Sequence, residues 1–174
     1  MAATLDTFVL EDIVTLNRVD TRGFLPFTIY RLKPLATDRR VILTVTLQNV
    51  SAAPLEIRQL QLSWASESDR PNIPPVQEHV VTEWAACGIA CALIPLYTGL
   101  QVIQVTQVGD RFDYWVGNES QEFGLEVSGL LTGELEQRQR IKLRQLSESP
   151  HKVAGYISIT SFHAQRTILS FHQM

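Results

Sequence analysis

The first third of the chain alternates apolar and polar residues in the manner of β-strands. Between residues 40 and 48 the apolar side chains occupy every second position, at Val41, Leu43, Val45 and Leu47. This period of two predicts a strand with one buried face. A second strand is predicted over residues 55–64 and an earlier one over residues 24–32. Residues 1–65 are therefore expected to form an antiparallel β-sheet region.

After residue 75 the apolar positions change their period. Apolar residues recur every three or four positions from Val80 to Leu96, which predicts a buried helix. Five strands are expected after it, at residues 102–108, 112–116, 123–131, 156–162 and 167–171. A charged amphipathic helix is expected over residues 133–147, between the third and fourth of these strands. The predicted order is α-β-β-β-α-β with one final strand.

A loop-like run separates the two patterns. It is rich in Ser, Asp, Asn and Pro, residues that favour turns over regular structure. We place a linker at residues 66–75, a β-rich N-terminal region at 1–65 and a second unit at 76–174. The fold class predicted from this arrangement is α+β.

Composition narrows the class of protein. The chain has 174 residues, of which 45% are hydrophobic and 19% charged, so it can bury a core without disulfides or a structural metal. Cys87 and Cys91, at i and i+4 on an apolar helix, are expected to be small core residues. A net charge of −3 argues against nucleic-acid binding by bulk charge alone, so such a role would need a local basic strip or a partner.

Location follows from the apolar segments. The N-terminus carries acids and no basic stretch ahead of an apolar core, unlike a signal peptide. The longest apolar stretch, residues 84–96, is too short to span a bilayer. We expect a cytoplasmic protein without a membrane segment.

Two acids occupy unusual positions in predicted strands. Asp113 lies within an aromatic strand, and Glu126 lies between a glycine and a serine on the polar face of the next strand. Each could simply be an exposed strand acid. If the two strands form a hairpin, however, Asp113 and Glu126 can face each other across the ladder, and two like charges so placed destabilise a sheet unless a cation joins them. Oxygen ligands would favour Mg²⁺ or Mn²⁺.

The following helix supplies the opposite charge. Arg138, Lys142 and Gln145 are spaced by four and three residues and so share a face, which could bind a phosphate near the two acids or could simply be solvated. Glu83, near the start of the first long helix, could add a third carboxylate or could complement the helix dipole. The chain lacks a nucleophile elbow, a Walker loop and a dinucleotide-binding glycine pattern.

With these residues in this order, residues 76–174 resemble the PD-(D/E)XK nuclease superfamily, whose restriction-endonuclease-like core is α-β-β-β-α-β. By that resemblance Asp113 matches the acid of the second strand, Glu126 the acid of the (D/E)XK motif and Glu83 the acid of the first helix. The resemblance implies that Asp113, Glu126 and the backbone carbonyl of Val127 hold the metal. Ser128 stands where the motif has lysine; Lys142 or Gln145 would then act from the following helix.

The resemblance implies metal-assisted phosphodiester hydrolysis in a bacterial protein, with nucleic acid as substrate and defence against foreign DNA as a setting. Lys142 would stabilise the developing negative charge, and Arg138 and Gln145 would bind phosphate. The alternative is an inert nuclease-fold scaffold or interaction subunit in a larger bacterial complex, with a protein partner or a second copy. If the two acids are unpaired, replacing Glu126 by Ala should leave stability unchanged or raise it.

Overall fold

The computed structural model describes residues 4–65, 73 and 75–174. Eight strands in this part of the chain form one mixed sheet, in the order β1-β3-β2-β8-β7-β6-β5-β4. They are β1 (Leu5–Val9), β2 (Arg40–Gln48), β3 (Leu55–Ser63), β4 (Gln101–Val105), β5 (Tyr114–Gly117), β6 (Glu122–Leu130), β7 (Gly155–Ser161) and β8 (Arg166–His172). The pairs β1/β3, β2/β8 and β6/β7 are parallel and the remaining neighbours are antiparallel. With its helices, this sheet makes an α+β fold.

Helices cover both faces of the sheet. They are α1 (Ile13–Leu16), α2 (Leu25–Leu32), α3 (Glu78–Thr98) and α4 (Leu135–Ser147), with short 3-10 turns at Leu10–Asp12, Arg22–Phe24 and Lys33–Leu35. The larger core lies between the sheet and α3 with α2. A smaller core under α4 includes Leu135, Leu146, Ile157 and Ile159.

The N-terminal region differs from the expected antiparallel sheet in two ways. Residues 25–32, expected as a strand, form helix α2, which buries Phe27, Thr28, Ile29 and Leu32. Pro26 is tolerated there because the first turn of a helix needs no amide donor from it. In addition β1 pairs with β3 in parallel, so only the β2/β3 pair is antiparallel.

The sheet runs without a break through both predicted units. Strand β2 pairs in parallel with β8, from Thr44 opposite Arg166 to Gln48 opposite Ser170. Residues 1–65 thus contribute strands to the same sheet as the C-terminal part of the chain. Of the predicted linker, only Ile73 and Pro75 belong to the described residues.

The element order predicted after residue 75 is confirmed: helix, three strands, helix and two strands. Asp113, expected inside a strand, lies immediately before β5. These elements bring the end of β5, the middle of β6 and one face of α4 together.

Helix α3 is longer than its apolar stretch indicated. It has 21 residues and is apolar enough to cross a membrane by length and composition, but most of it is buried inside the fold. Small residues let it pack closely: a Cβ on Gly88 would overlap the Thr28 hydroxyl of α2, and a Cβ on Gly129 of β6 would overlap the Thr82 carbonyl oxygen. Cys87 and Cys91 are buried in this packing, as expected.

Candidate active site

The site begins where β5 stops pairing with β6. The last paired residues are Tyr114 and Leu125, and beyond them the edge of β6 is no longer covered by a strand. The backbone N–H of Asp113 donates to the Leu125 carbonyl at 2.9 Å. The Asp113 carboxylate then accepts a hydrogen bond from the Val127 N–H, at 2.7 Å from Oδ2. The Asp113 side chain therefore bonds one N–H of the β6 edge that no strand covers.

Glu126 projects from the middle of β6 toward α4. Its side chain is 5% exposed, and its Oε1 lies 2.6 Å from the Nζ of Lys142. The Lys142 side chain is 16% exposed, so this ion pair is largely removed from water. The expectation of a simply exposed strand acid does not apply to Glu126.

Asp113, Glu126, Lys142 and Gln145 line one open cleft of about 390 Å³. The opposite wall is the loop between β4 and β5, which contributes Gln107, Gly109, Arg111 and Phe112. Four residues that the sequence singled out for chemistry thus face the same space: one immediately before β5, one on β6 and two on α4.

Burial dominates the electrostatics of the two acids. Burial, together with the nearby Asp113 carboxylate and against the opposing effect of Lys142, raises the pKa of Glu126 to about 7. Burial also raises the pKa of Asp113, against the lowering effects of the Val127 N–H and of Lys142. The cleft therefore holds two carboxyl groups that resist being ionised together, which is the setting in which a cation is favoured.

Glu83 lies at the other end of the open β6 edge. Its Oε1 accepts hydrogen bonds from the Ser128 hydroxyl at 3.0 Å and from the Gly129 N–H at 3.3 Å. Ser128, in the position of the motif lysine, therefore binds an acid of α3. Glu83 does not line the cleft formed by Asp113 and Glu126.

The residues present fit a hard cation by their chemistry. In a strand, the N–H and C=O of one residue point to the same side, so the Val127 carbonyl faces the same open edge as the N–H that Asp113 binds. Asp113, Glu126 and this carbonyl form an all-oxygen donor set, which suits Mg²⁺ or Mn²⁺. Within residues 4–65, 73 and 75–174, no three or more His, Cys, Asp or Glu side chains form a ready metal cluster.

Arg138 lies one turn from Lys142 on α4 and is not part of the cleft lining. In the described part of the chain, Arg138, Arg140 and Arg144 form no ion pair, whereas Glu136 of the same helix pairs with Arg166. One flank and the outer side of α4 thus carry positive charge beside the cleft, although the whole chain is acidic.

Sequence reasoning missed the β4–β5 loop as a wall of the site. Two side-chain contacts tie this loop to the segment after α4: a hydrogen bond between Asp110 and His151 at 2.7 Å and an ion pair between Arg111 and Glu148 at 3.0 Å. The His151 hydrogen bond lowers the pKa of Asp110. The turn at Gly109-Asp110 was visible in the sequence, but nothing local indicated that the loop reaches across to α4.

Comparison with known proteins adds no name to this geometry. No protein-family model, curated protein or solved structure matches the chain.

Proposed function

We propose that the chain is a metal-dependent phosphodiesterase, a divergent PD-(D/E)XK nuclease-like protein of bacterial type acting on nucleic acid in the cytoplasm. The observation that carries the proposal is the cleft in which Asp113, Glu126, Lys142 and Gln145 meet. The α-β-β-β-α-β order around that cleft also supports it.

In this proposal the acidic groups of the site bind the metal, and the cationic and amide groups bind the phosphate. Asp113, Glu126 and the Val127 carbonyl would hold Mg²⁺ or Mn²⁺, which supplies charge neutralisation at the scissile phosphate and a more acidic water. Lys142, which pairs with Glu126 at 2.6 Å, would stabilise negative charge on the phosphate. Gln145 donates a hydrogen bond to a phosphate oxygen, and Arg138 attracts the neighbouring phosphates of the nucleic acid.

Lys142 takes the place of the lysine that the motif has at position 128, where this chain has Ser128. A lysine two residues after Glu126 would lie on β6 itself; here the ammonium group reaches Glu126 from α4, at 2.6 Å. The charge that the motif needs beside its acid is therefore present, carried by a different element.

An inert nuclease-fold scaffold, binding a protein partner or a second copy, is the second candidate function. It is favoured by the way the protein satisfies both acids itself: Asp113 binds the Val127 N–H, and Glu126 binds Lys142. A site whose charges are already paired can be kept for stability alone.

Cleavage assays separate the two candidates. Wild type with Mg²⁺ or Mn²⁺ should cleave DNA or RNA, and Glu126→Gln and Lys142→Gln should each lower the rate by about 100-fold, as loss of one electrostatic group does in other enzymes. Glu122→Gln, an exposed acid on the same strand, is the matched control and should retain the wild-type rate. Wild type that cleaves no nucleic acid would favour the scaffold.

A further inference from the structure

An aromatic cluster lies on the α3 side of the sheet, away from the cations of α4. Trp84 of α3 makes edge contacts with Phe24 and Phe27, with ring centroids 6.4 Å and 4.9 Å apart. The Phe24 ring in turn meets the ring of Tyr114 on β5, at 6.2 Å. Trp84 is nevertheless 43% exposed, whereas Trp64 is buried.

This cluster adjoins the candidate active site through the chain itself. Trp84 follows Glu83, whose carboxylate binds the open edge of β6. Tyr114 follows Asp113, whose carboxylate binds the same edge one residue pair away. The Phe24 ring lies between Trp84 and Tyr114, and each of these two residues directly follows an acid that binds the β6 edge.

Trp84 is held in place before any ligand arrives. Its two edge contacts and its position on a long buried helix restrict the ring, so little conformational entropy remains to be lost when something stacks on it. A rigid, half-exposed indole, next in the chain to an acid that binds the β6 edge, is suited to a flat π-system such as a nucleobase.

The two sides of the β6 edge then offer groups that match the two parts of a single-stranded nucleic acid, its backbone and its bases. Cations of α4, with Lys142 in the cleft, suit the sugar-phosphate backbone, and Trp84 suits an unstacked base. In a duplex the faces of the bases are covered by their neighbours and are not available to a side chain. A single strand, or an unpaired segment, presents both groups together.

We propose that Trp84 is a base-stacking platform and that the substrate of this site is single-stranded nucleic acid. The proposal rests on the proposed phosphodiesterase function and names its substrate class. DNA and RNA share the chemistry on which it depends.

Binding in EDTA tests the platform without turnover. Labelled mixed-sequence single strands, one DNA and one RNA, are titrated with wild-type protein and compared with a hairpin duplex of the same sequence. The single strands should bind more tightly than the duplex. Trp84→Leu should weaken single-strand binding on the order of tenfold, and Trp84→Phe, which keeps a ring, should retain most of the affinity.

A matched control and a second readout guard against a folding defect. Tyr30→Leu removes an aromatic residue on α2 that is 42% exposed, and it should leave the affinity unchanged. In a Trp115→Phe background, which removes the indole packed on Phe112 of the cleft, single-stranded nucleic acid should also quench the tryptophan fluorescence, and adding Trp84→Phe should lose most of that quenching.

Duplex bound as tightly as single strands would overturn the proposal, as would unchanged single-strand affinity in a folded Trp84→Leu. Cleavage of the same probes with Mn²⁺ separates this failure from a wider one. If wild type cleaves the duplex regardless of Trp84, the platform is wrong and the phosphodiesterase stands; if it neither binds nor cleaves any probe, both proposals fail.

Discussion

Glu126 affects the stability of the protein and is also part of the candidate active site. The sequence suggested that it faces Asp113 as an unpaired like charge, and that Glu126→Ala would relieve repulsion. The ion pair with Lys142 overturns that premise, because removing the carboxylate leaves a largely buried ammonium group without its partner. Nothing in the local sequence shows which acid the helix lysine reaches; that depends on how α4 crosses the sheet.

We expect Glu126→Ala to lower the free energy of unfolding by about 3 kcal/mol, the cost of breaking a buried ion pair from one side. Glu126→Gln keeps the size of the side chain and a hydrogen-bond acceptor for Lys142 and also removes the repulsion with Asp113, so its loss should be under about 1 kcal/mol. Urea unfolding of the three proteins at neutral pH measures both values. Equal stability of Glu126→Ala and wild type would show that the pair contributes nothing.

The raised pKa of Glu126 predicts how stability depends on pH. Its pKa is about 7 in the folded protein against an ordinary value of 4.5, so between these values the folded state holds a proton that the unfolded state has released. The stability of the metal-free protein should therefore fall as the pH rises from 4.5 to about 7. Thermal melts across this range should show a shallower fall for Glu126→Gln; an unchanged slope in that variant would contradict the assignment.

At the scale of elements, the packing of α3 against β6 sets the position of the open strand edge. The two elements approach at Gly129, where an added Cβ would overlap the Thr82 carbonyl oxygen and lie 3.0 Å from the Ala86 Cβ. Because backbone and a buried methyl group stand there, the helix must shift to admit a side chain.

Gly129→Ala should accordingly lower the free energy of unfolding by about 2 kcal/mol, the usual cost of overpacking a core. Gly23→Ala is the control, since an added Cβ there meets nothing within 4 Å, and its effect should stay within about 0.5 kcal/mol. Denaturant unfolding compares the two variants with wild type. A Gly129→Ala protein as stable as Gly23→Ala would mean that α3 and β6 pack more loosely than the structure indicates.

Elements with a clear period were predicted well, and those without one were not. The buried helix α3, the amphipathic helix α4 and strand β6 were expected close to their observed positions, since burial of one face or of the whole element leaves a pattern in the sequence. Helix α2 was expected as a strand because its eight residues are too few to display a helical period against a run of apolar side chains.

At the scale of the whole molecule, the pairing of β2 with β8 decides how the two parts of the chain relate. More than a hundred residues separate these strands along the chain, from Thr44 to Arg166 in the first pair. Such pairing leaves no local signal, so the sequence could place β2 in a sheet without showing that it is the sheet of β6 and α4. That Asp113, Glu126 and Lys142 would meet in one cleft could likewise be inferred only from the predicted order of the elements, not from local sequence.

Because the sheet is continuous, we expect the chain to unfold in one cooperative transition. Far-ultraviolet circular dichroism and tryptophan fluorescence should report the same urea midpoint. A fragment of residues 76–174 should fail to fold alone, since it lacks β2 and would expose the edge of β8. Two separate transitions, or a stable fragment, would instead show that residues 1–65 form an independent domain.

Calorimetric titration with Mn²⁺ tests whether Asp113 and Glu126 bind a divalent cation for phosphodiester hydrolysis. Wild type should bind Mn²⁺, and the Asp113→Asn/Glu126→Gln double variant, checked for folding by circular dichroism, should not. The same wild-type sample should then cleave nucleic acid only when Mn²⁺ or Mg²⁺ is present. Wild type that binds no Mn²⁺, or a folded double variant that binds it equally well, would show that these two carboxyl groups do not form a metal site.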